Sequence, residues 1–317
     1  MMGKYLVGID VGGTTVKCGI FTVEGELQDK WEVPTRKEEN GKNILPDVAE
    51  ALKKKLQEKS IASDEVAGIG IGVPGPVEPT GYVHVCVNLG WTDRWPAKEM
   101  AELMGGMIHC AVGNDANVAA LGEMWQGGGK GHENILMVTL GTGVGGGLIV
   151  DHHIIAGVHG AGAEIGHIHV RDGEKEACNC GGHGCLEQYA SATGIVREAK
   201  RVLAAEEATA SKMRDFGDAL TAKDVCDLAK AGDALAEKSI GISMHYLGLV
   251  LADVSMVADP ELFVIGGGVS RAGQYLIDLI KKEYEALTPL LNKKADITLA
   301  TLGNDAGMYG CAKLAMD

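Results

Sequence analysis

The sequence predicts an α/β protein with two domains that face a cleft. A chain of 317 residues with 46% hydrophobic residues is long enough and apolar enough for two cores. It contains two strand–glycine turn–strand units, one at the start and one from residue 133. Strands later in the chain alternate with helices, which is typical of α/β folds. We expect a small domain of residues 1–112 and 304–317 and a large domain of residues 113–303.

Individual elements follow from local hydrophobic patterns. Ile44, Val48, Leu52 and Leu56 recur at helical spacing and predict a helix over residues 43–59. Residues 66–73 are apolar, with glycine at every second position, and Pro74 follows them. This pattern predicts a buried strand. The predicted strands are 4–9, 16–23, 66–73, 108–112, 133–140, 147–150, 262–265 and 297–302. The predicted helices are 43–59, 95–104, 116–125, 191–205, 221–229, 234–256, 272–287 and 305–316.

Charge and hydropathy exclude two classes of partner. Acidic residues number 43 against 29 basic ones, so the net charge of −14 disfavours a nucleic-acid-binding surface. No apolar run is expected to reach the length of a membrane span. The start, Met1-Met2-Gly3-Lys4-Tyr5, leads into a strand without the features of a signal peptide. We therefore expect a cytoplasmic protein with no nucleic-acid or membrane partner.

Two glycine-rich turns, residues 8–14 and 140–147, have the composition of phosphate-binding turns. Such turns expose backbone N–H groups to anionic oxygens, and a carboxylate such as Asp115 can accept the proton of an attacking alcohol. This combination predicts phosphoryl transfer from ATP to a hydroxyl group. The candidate phosphate-binding residues are Asp10, Gly12, Gly13, Thr14, Thr15, Lys17, Gly141, Thr142 and Gly143.

Two of these candidates, Asp10 and Lys17, are charged. Asp10 is acidic, so beside a phosphate we expect it to face Mg²⁺ or to act through water. Lys17 either lies near the phosphates or is a solvated hairpin residue, and the sequence leaves both alternatives open.

A third glycine cluster follows an apolar strand. Gly266, Gly267 and Gly268 present bare backbone that can lie against a base or ribose, and we expect an adenosine contact there. A strand–helix loop without a ligand is the alternative. Two G-x-G-x-x-G matches, at 70–75 and 141–146, are not followed by a helix, so they do not indicate a dinucleotide fold.

A short segment contains the ligands of a metal site. Cys178, Cys180 and Cys185 lie within eight residues, and one histidine would complete a tetrahedral Zn²⁺ site. A site with four protein ligands has no vacant position, so its expected role is structural. His167 is the first choice for the imidazole ligand, although His169 and His183 compete on spacing. Two nearby carboxylates are candidate acceptors for sugar hydroxyls, with solvated surface side chains as the alternative; they are Glu164 and Glu187.

Seven motifs occur in order along the chain and extend over nearly its whole length. They are DVGGT at 10–14, GNDAN at 113–117, LGTGVGGG at 140–147, EIGH at 164–167, CNCGGHGCLE at 178–187, VIGGG at 264–268 and LGNDAG at 302–307. Together they resemble the ROK family of sugar kinases and repressors, and within it the bacterial ATP-dependent glucokinases.

The resemblance implies an actin-like ATPase (ribonuclease H-like) fold and phosphorylation of the glucose 6-hydroxyl by ATP. It implies that Asp115 is the base that accepts the hydroxyl proton, and that His167 is both a zinc ligand and a sugar ligand. It also implies a homodimer or homotetramer. The sugar-binding residues that it implies are Gly75, Asn88, Asn114, Asp115, Glu164, His167 and Glu187.

The sequence is compatible with several alternative functions. A kinase for fructose, N-acetylmannosamine or allose would use the same residue types, because geometry and not residue identity selects the sugar. Polyphosphate is an alternative donor, and Lys17 and Lys130 alone do not decide between it and ATP. A ROK repressor or a zinc-binding scaffold is disfavoured. The first phosphate turn begins too early for a preceding DNA-binding module, and a scaffold has no use for Asp115.

Overall fold

The computed structural model describes residues 3–316, which divide into two compact units. The described parts of Met1–Glu133, Gly147–Ala163 and Thr301–Asp317 form the first unit, and Asn134–Gly146 with Glu164–Ala300 forms the second. Residues 1, 2 and 317, at the ends of the predicted small domain, lie outside the described residues.

The described chain contains both strands and helices throughout its length. The strands are β1 (Tyr5–Val11), β2 (Thr15–Thr22), β3 (Leu27–Pro34), β4 (Val66–Val73), β5 (Val83–Cys86), β6 (Trp91–Arg94), β7 (Cys110–Asn114), β8 (Ile135–Leu140), β9 (Val144–Val150), β10 (His153–Ile154), β11 (Leu262–Gly266) and β12 (Asp296–Leu299). The helices are α1 (Glu38–Gly41), α2 (Ile44–Glu58), α3 (Pro96–Leu103), α4 (Asp115–Gln126), α5 (Glu187–Ala190), α6 (Ala192–Ala205), α7 (Ala222–Lys230), α8 (Ala234–Ala258), α9 (Gln274–Leu287) and α10 (Ala306–Leu314).

The first unit is built on a five-stranded sheet with the order β3-β2-β1-β4-β7. Strands β1, β2 and β3 pair antiparallel, whereas β1, β4 and β7 run parallel. The main core contains buried apolar residues of these strands and of α2 and α3, and Trp91 is fully buried within it. Leu6 and Phe21 belong to a smaller cluster with residues of α10.

Glycines let α10 lie directly on the sheet. A methyl group at Gly70 would overlap the carbonyl of Cys311, and one at Gly8 would overlap the carbonyl of Met308. Helix α10 also packs closely on α4, because a methyl group at Gly310 would overlap the carbonyl of Val118. The alternate glycines of β4 are therefore explained by close approach of a helix backbone.

A second five-stranded sheet has the order β10-β9-β8-β11-β12, in which β8, β11 and β12 run parallel. Helices α5 to α9 all belong to the second unit. The longest of them, α8, is a central helix with twelve buried residues along its 25-residue length.

The predicted α/β class is confirmed, and four strands were missed, of which β10 is the shortest with two residues. Strand β3 has four charged or amide side chains in eight residues, and it lies at the edge of its sheet, where such residues face water. Strands β5 and β6 have only four residues each. The return strand predicted at 147–150 begins at Val144, because the glycines after it belong to the strand and not to the turn.

Two other expectations differ from the structure. The predicted boundary near 112–116 falls inside the first unit, because β7 pairs with β4 and α4 packs on α10. The expectation that no apolar run has the length of a membrane span is wrong for α8. One helix in the described part of the chain, α8, is long and apolar enough to cross a membrane, although half of that stretch is buried within the protein, as in a core helix.

Candidate active site and metal-binding cluster

Three parallel strands of the first unit end at the same edge of their sheet. The register pairs Asp10 of β1 with Gly72 of β4, and Gly72 with Gly113 of β7. The chain segments that follow these positions are the first glycine turn, the Pro74-Gly75 loop and the Asn114-Asp115 step. The carboxyl ends of parallel strands are where α/β proteins bind ligands. Strand register therefore brings two predicted motifs and the predicted sugar-binding residue Gly75 to one edge.

Asn114 fixes the start of α4. Its side-chain oxygen accepts hydrogen bonds from the N–H groups of Ala116 and Asn117 at 3.0 and 3.2 Å, as an N-cap residue does. Its amide nitrogen donates to the carbonyl of Gly75 at 3.1 Å. Asp115 is the first residue of the helix and is partly buried, and its Oδ1 accepts from the N–H of Ala116 at 2.8 Å. One side chain thus ties the Gly75 loop to the helix that carries Asp115.

Asp10 carries a perturbed carboxyl group. Burial, with a contribution from the negative charge of Asp115, raises its pKa from 3.8 to about 6, and the charge of Lys17 opposes this rise. Among the described residues, no hydrogen-bond donor to the Asp10 carboxylate is present. The carboxylate lies against the backbone of α10, since a methyl group at Gly307 would be 2.6 Å from its Oδ2. Such a group is suited to hold a cation or ordered water.

The first glycine turn is closed by backbone hydrogen bonds. The N–H of Gly12 donates to the carbonyl of Thr15 at 3.1 Å, and Thr14 at its tip is exposed. Lys17 lies opposite Asp10 in the β1–β2 pair, and its ammonium donates to the carbonyl of Asn304 at 2.7 Å. The predicted residues Gly12, Gly13, Thr14, Thr15 and Lys17 are therefore neighbours of Asp10 at this edge of the first unit.

In the second unit the other two glycine clusters also share one sheet edge. Strands β8 and β11 are parallel neighbours, and Thr139 pairs with Gly266. Gly267 has a positive φ of 85°, and a methyl group there would overlap the carbonyl of Leu140. The start of α6 supports the turn at 141–143, because the N–H of Ala192 donates to the carbonyl of Gly141 at 2.8 Å. Gly266–268 and the turn at 141–143 are thus adjacent.

Glu187 connects this turn with the cysteine loop. Its Oε2 accepts from the N–H of Val144 at 3.1 Å, and its Oε1 lies 3.7 Å from the Sγ of Cys178. The sequence alternative of a solvated surface glutamate does not fit these contacts. Glu164 is exposed, and its carbonyl accepts from the N–H of His167 at 3.1 Å. Asn88 lies in a short exposed turn of the first unit.

Four side chains of the second unit bring together the donor atoms of a candidate metal site. The ligand atoms of His167, Cys178, Cys180 and Cys185 all lie within 4.8 Å of one another. The Sγ atoms of Cys180 and Cys185 are 3.7 Å apart, and the same distance separates Cys178 Sγ from His167 Nδ1. Tetrahedral zinc with Zn–S bonds of about 2.3 Å requires sulfur atoms roughly 3.8 Å apart. The donor set and its spacing are compatible with zinc.

One of the competing histidines, His169, has other partners. The ring of His169 contacts the carbonyl of His183 at 2.8 Å and Asp172 at 3.0 Å. The N–H of Gly182 donates to Cys180 at 3.4 Å, and hydrogen bonds from Gly182 and from the neighbouring thiols lower the pKa of the Cys180 thiol. A thiolate is the form that binds a metal ion.

Sequence reasoning missed two residues that support the site. Glu123, in the last turns of α4, is fully buried, and it accepts from the N–H groups of Gly128, Thr301 and Leu302 at 2.8 to 3.0 Å. An acidic residue in an otherwise apolar helical stretch was the available signal. Thr35 donates its hydroxyl to the carbonyl of Gly12 at 2.7 Å, and it follows the strand β3, which the sequence pattern did not predict.

Comparison with known proteins places these features in a family. Residues 6–317 match the ROK family. A protein of Halalkalibacterium halodurans named Glucokinase is 45% identical over 98% of this chain and 94% of its own length. The structure of a ROK family glucokinase from Streptomyces griseus in complex with glucose and AMPPNP has a TM-score of 0.71 at 32% identity, covering 98% of this chain and 99% of its own. A ROK hexokinase from Thermus thermophilus has a TM-score of 0.80 at 30% identity, covering 98% and 97%. The actin-like ATPase fold is thereby confirmed, and the chain belongs to the ROK family.

Proposed function

We propose that this protein is an ATP-dependent glucokinase, which transfers the terminal phosphoryl group of ATP to the 6-hydroxyl of glucose. The observation that carries the proposal is the position of Asp115 in the first turn of α4, at the sheet edge that also holds the first glycine turn. The similarity to the glucokinase of Halalkalibacterium halodurans, over nearly the full length of both chains, supports the same activity.

Asp115 is the general base of the proposed reaction. An alcohol has a high pKa, so a carboxylate takes its proton late, as the phosphoryl group arrives. The Asn114 cap fixes the backbone from which this carboxylate projects, and the Asn114–Gly75 hydrogen bond fixes the neighbouring loop. The position of Asp115 is therefore set before a substrate binds, which is how a base contributes through orientation.

The phosphate groups bind at the glycine turns. In the first unit Gly12, Gly13, Thr14 and Thr15 offer backbone and hydroxyl donors, with Lys17 as a nearby cation. The turn at 141–143 offers backbone donors and the hydroxyl of Thr142, and Gly266–268 hold the adenosine. Mg²⁺ neutralises phosphate oxygens when it is bound, and the desolvated Asp10 carboxylate fits it, directly or through water.

The resemblance to ROK sugar kinases assigns the sugar hydroxyls to seven residues, which are Gly75, Asn88, Asn114, Asp115, Glu164, His167 and Glu187. Zinc at His167, Cys178, Cys180 and Cys185 has a structural role, because four protein ligands leave no vacant position. These four residues would hold the ion, and the loop that they order would keep in place Glu187, whose carboxylate lies beside Cys178. We propose that the protein acts in the cytoplasm as a homodimer or homotetramer.

A kinase assay with matched variants tests this function. The purified protein is given glucose, fructose, N-acetylmannosamine or allose, with ATP or polyphosphate as donor, and product formation is coupled to a detectable reaction. Glucose with ATP is expected to give the highest kcat/KM. The Asp115→Asn variant should lose about 10²- to 10⁴-fold in kcat, the usual contribution of a general base. The matched control Asp64→Asn, an exposed aspartate of the same unit, should keep its activity. Near-normal turnover by Asp115→Asn would remove the base assignment, and preference for another hexose would replace glucose as the substrate.

A further inference from the structure

The segment that follows β3 passes along the first glycine turn. The register of the β2–β3 pair places Pro34 opposite Thr15, so the next residues continue beside the turn. Thr35 holds them there with two hydrogen bonds. Its N–H donates to the carbonyl of Thr14 at 2.9 Å, and its hydroxyl donates to the carbonyl of Gly12 at 2.7 Å. The backbone two residues before Lys37 is therefore fixed to the turn.

Lys37 places a cation at this turn. Its ammonium nitrogen would be 3.5 Å from a methyl group at Gly13, so it lies against the bare backbone of that glycine. Other basic residues of the segment are paired with carboxylates, Arg36 with Asp47 and Lys42 with Glu39. Across residues 3–316, by contrast, no carboxylate forms an ion pair with Lys37.

The other lysine of this region is already engaged. Lys17 donates to the carbonyl of Asn304, on the segment that leads into α10. Asp10 and Asp115 are both acidic residues of this sheet edge, and burial, followed by the negative charge of Asp115, raises the pKa of the Asp10 carboxyl. A polyphosphate chain at this edge would add further negative charge, and a second cation is needed to balance it.

We propose that Lys37 is a phosphate-binding residue, whose ammonium contacts the terminal phosphoryl oxygens of the donor at the first glycine turn. The assignment rests on the proposed function for the identity of the donor. An ammonium is a compact charge on a flexible stem, and it binds phosphate without demanding a fixed plane. Thr35 sets the reach of this stem by fixing the backbone, while the side chain stays mobile enough to follow the phosphoryl group.

The test compares Lys37→Gln with Lys42→Gln, a lysine of the same segment that is paired with Glu39. Loss of a charge-assisted hydrogen bond corresponds to roughly a 10- to 100-fold loss of affinity. Lys37→Gln should therefore raise KM for ATP at least tenfold and leave KM for glucose within about twofold of the original. Lys37→Arg should recover most of the affinity, and Lys42→Gln should match the unchanged protein.

A binding measurement separates this inference from the proposed function. Inorganic tripolyphosphate is titrated into the unchanged protein and both variants, in the presence of Mg²⁺, at low and at high salt. Weaker binding by Lys37→Gln alone, with a shallower salt dependence, would support the assignment even if no hexose were phosphorylated. Equal affinity of Lys37→Gln and Lys42→Gln for both tripolyphosphate and ATP would overturn it, even if the glucokinase activity were established.

Discussion

Replacing Asp10 by Asn should stabilise the protein at neutral pH while removing activity. The carboxyl pKa is raised from 3.8 to about 6 by burial and by Asp115, so its ionised form is less favourable in the folded protein than in the unfolded chain. Between these two values the folded state binds more protons, and stability falls as the pH rises. This loss of stability is absent below about pH 4 and complete above about pH 6. The difference between a pKa of 3.8 and one of about 6 corresponds to about 3 kcal/mol, and the remaining solvent access reduces this to about 1–2 kcal/mol.

The four tryptophans provide the assay, because Trp31, Trp91, Trp95 and Trp125 all belong to the first unit. Urea unfolding followed by tryptophan fluorescence, without nucleotide and with a chelator, is measured from pH 4.5 to pH 8. The midpoint for Asp10→Asn should exceed that of the unchanged protein at pH 7.5, and the difference should shrink below pH 6. The exposed control Asp64→Asn should differ by no more than about 0.5 kcal/mol at any pH. A difference of either sign that does not depend on pH would refute the desolvation argument.

Two further predictions concern groups that hold the site in place. The protein should contain one zinc ion per chain, and the Cys185→Ser variant should lose both this zinc and its activity. Cys226 is buried outside the cluster, so the Cys226→Ser variant should keep both. Elemental analysis and activity assays of the purified variants check this. Glu123→Gln turns one acceptor oxygen into a donor facing backbone N–H groups, so the free energy of unfolding should fall by about 2–4 kcal/mol. The control variant Glu102→Gln, at an exposed position, should change the free energy of unfolding by less than about 0.5 kcal/mol. If the Glu123→Gln variant were as stable as the unchanged protein, the three hydrogen bonds would contribute little.

The sequence predicted those elements whose pattern is local. Helix α2 has its apolar residues at helical spacing, and the structure buries Ile44, Val48, Leu52 and Leu56 as expected. Cys178, Cys180 and Cys185 are close together in the chain, so their spacing predicted a metal site, but it left the choice among three histidines open. Strand β3 was missed because Asp29, Lys30 and Glu32 do not resemble a core strand. Its place is set by pairing with β2, which no local pattern records.

Parts of the site could not be predicted, for the same reason. The contact between Lys37 and the first glycine turn depends on the register of β3, so the failure to predict β3 concealed it. The shifted pKa of Asp10 depends on the closeness of α10, which requires glycine at position 307. The role of Asn114 as a helix cap follows from backbone geometry that the motif alone does not give.

Two desolvated carboxylates of the first unit, Glu123 and Asp10, differ in the groups that surround them. Glu123 is buried at 0% exposure, yet three backbone N–H groups donate to it and compensate its charge. Asp10 is also largely desolvated, and its carboxylate instead faces the backbone of Gly307 and the charge of Asp115. A carboxylate already satisfied by the protein gains little from a cation, whereas one with a raised pKa gains the most from it. Binding of Mg²⁺ and a phosphate donor should therefore lower the pKa of Asp10 and reverse the destabilisation that its charge causes in the free protein.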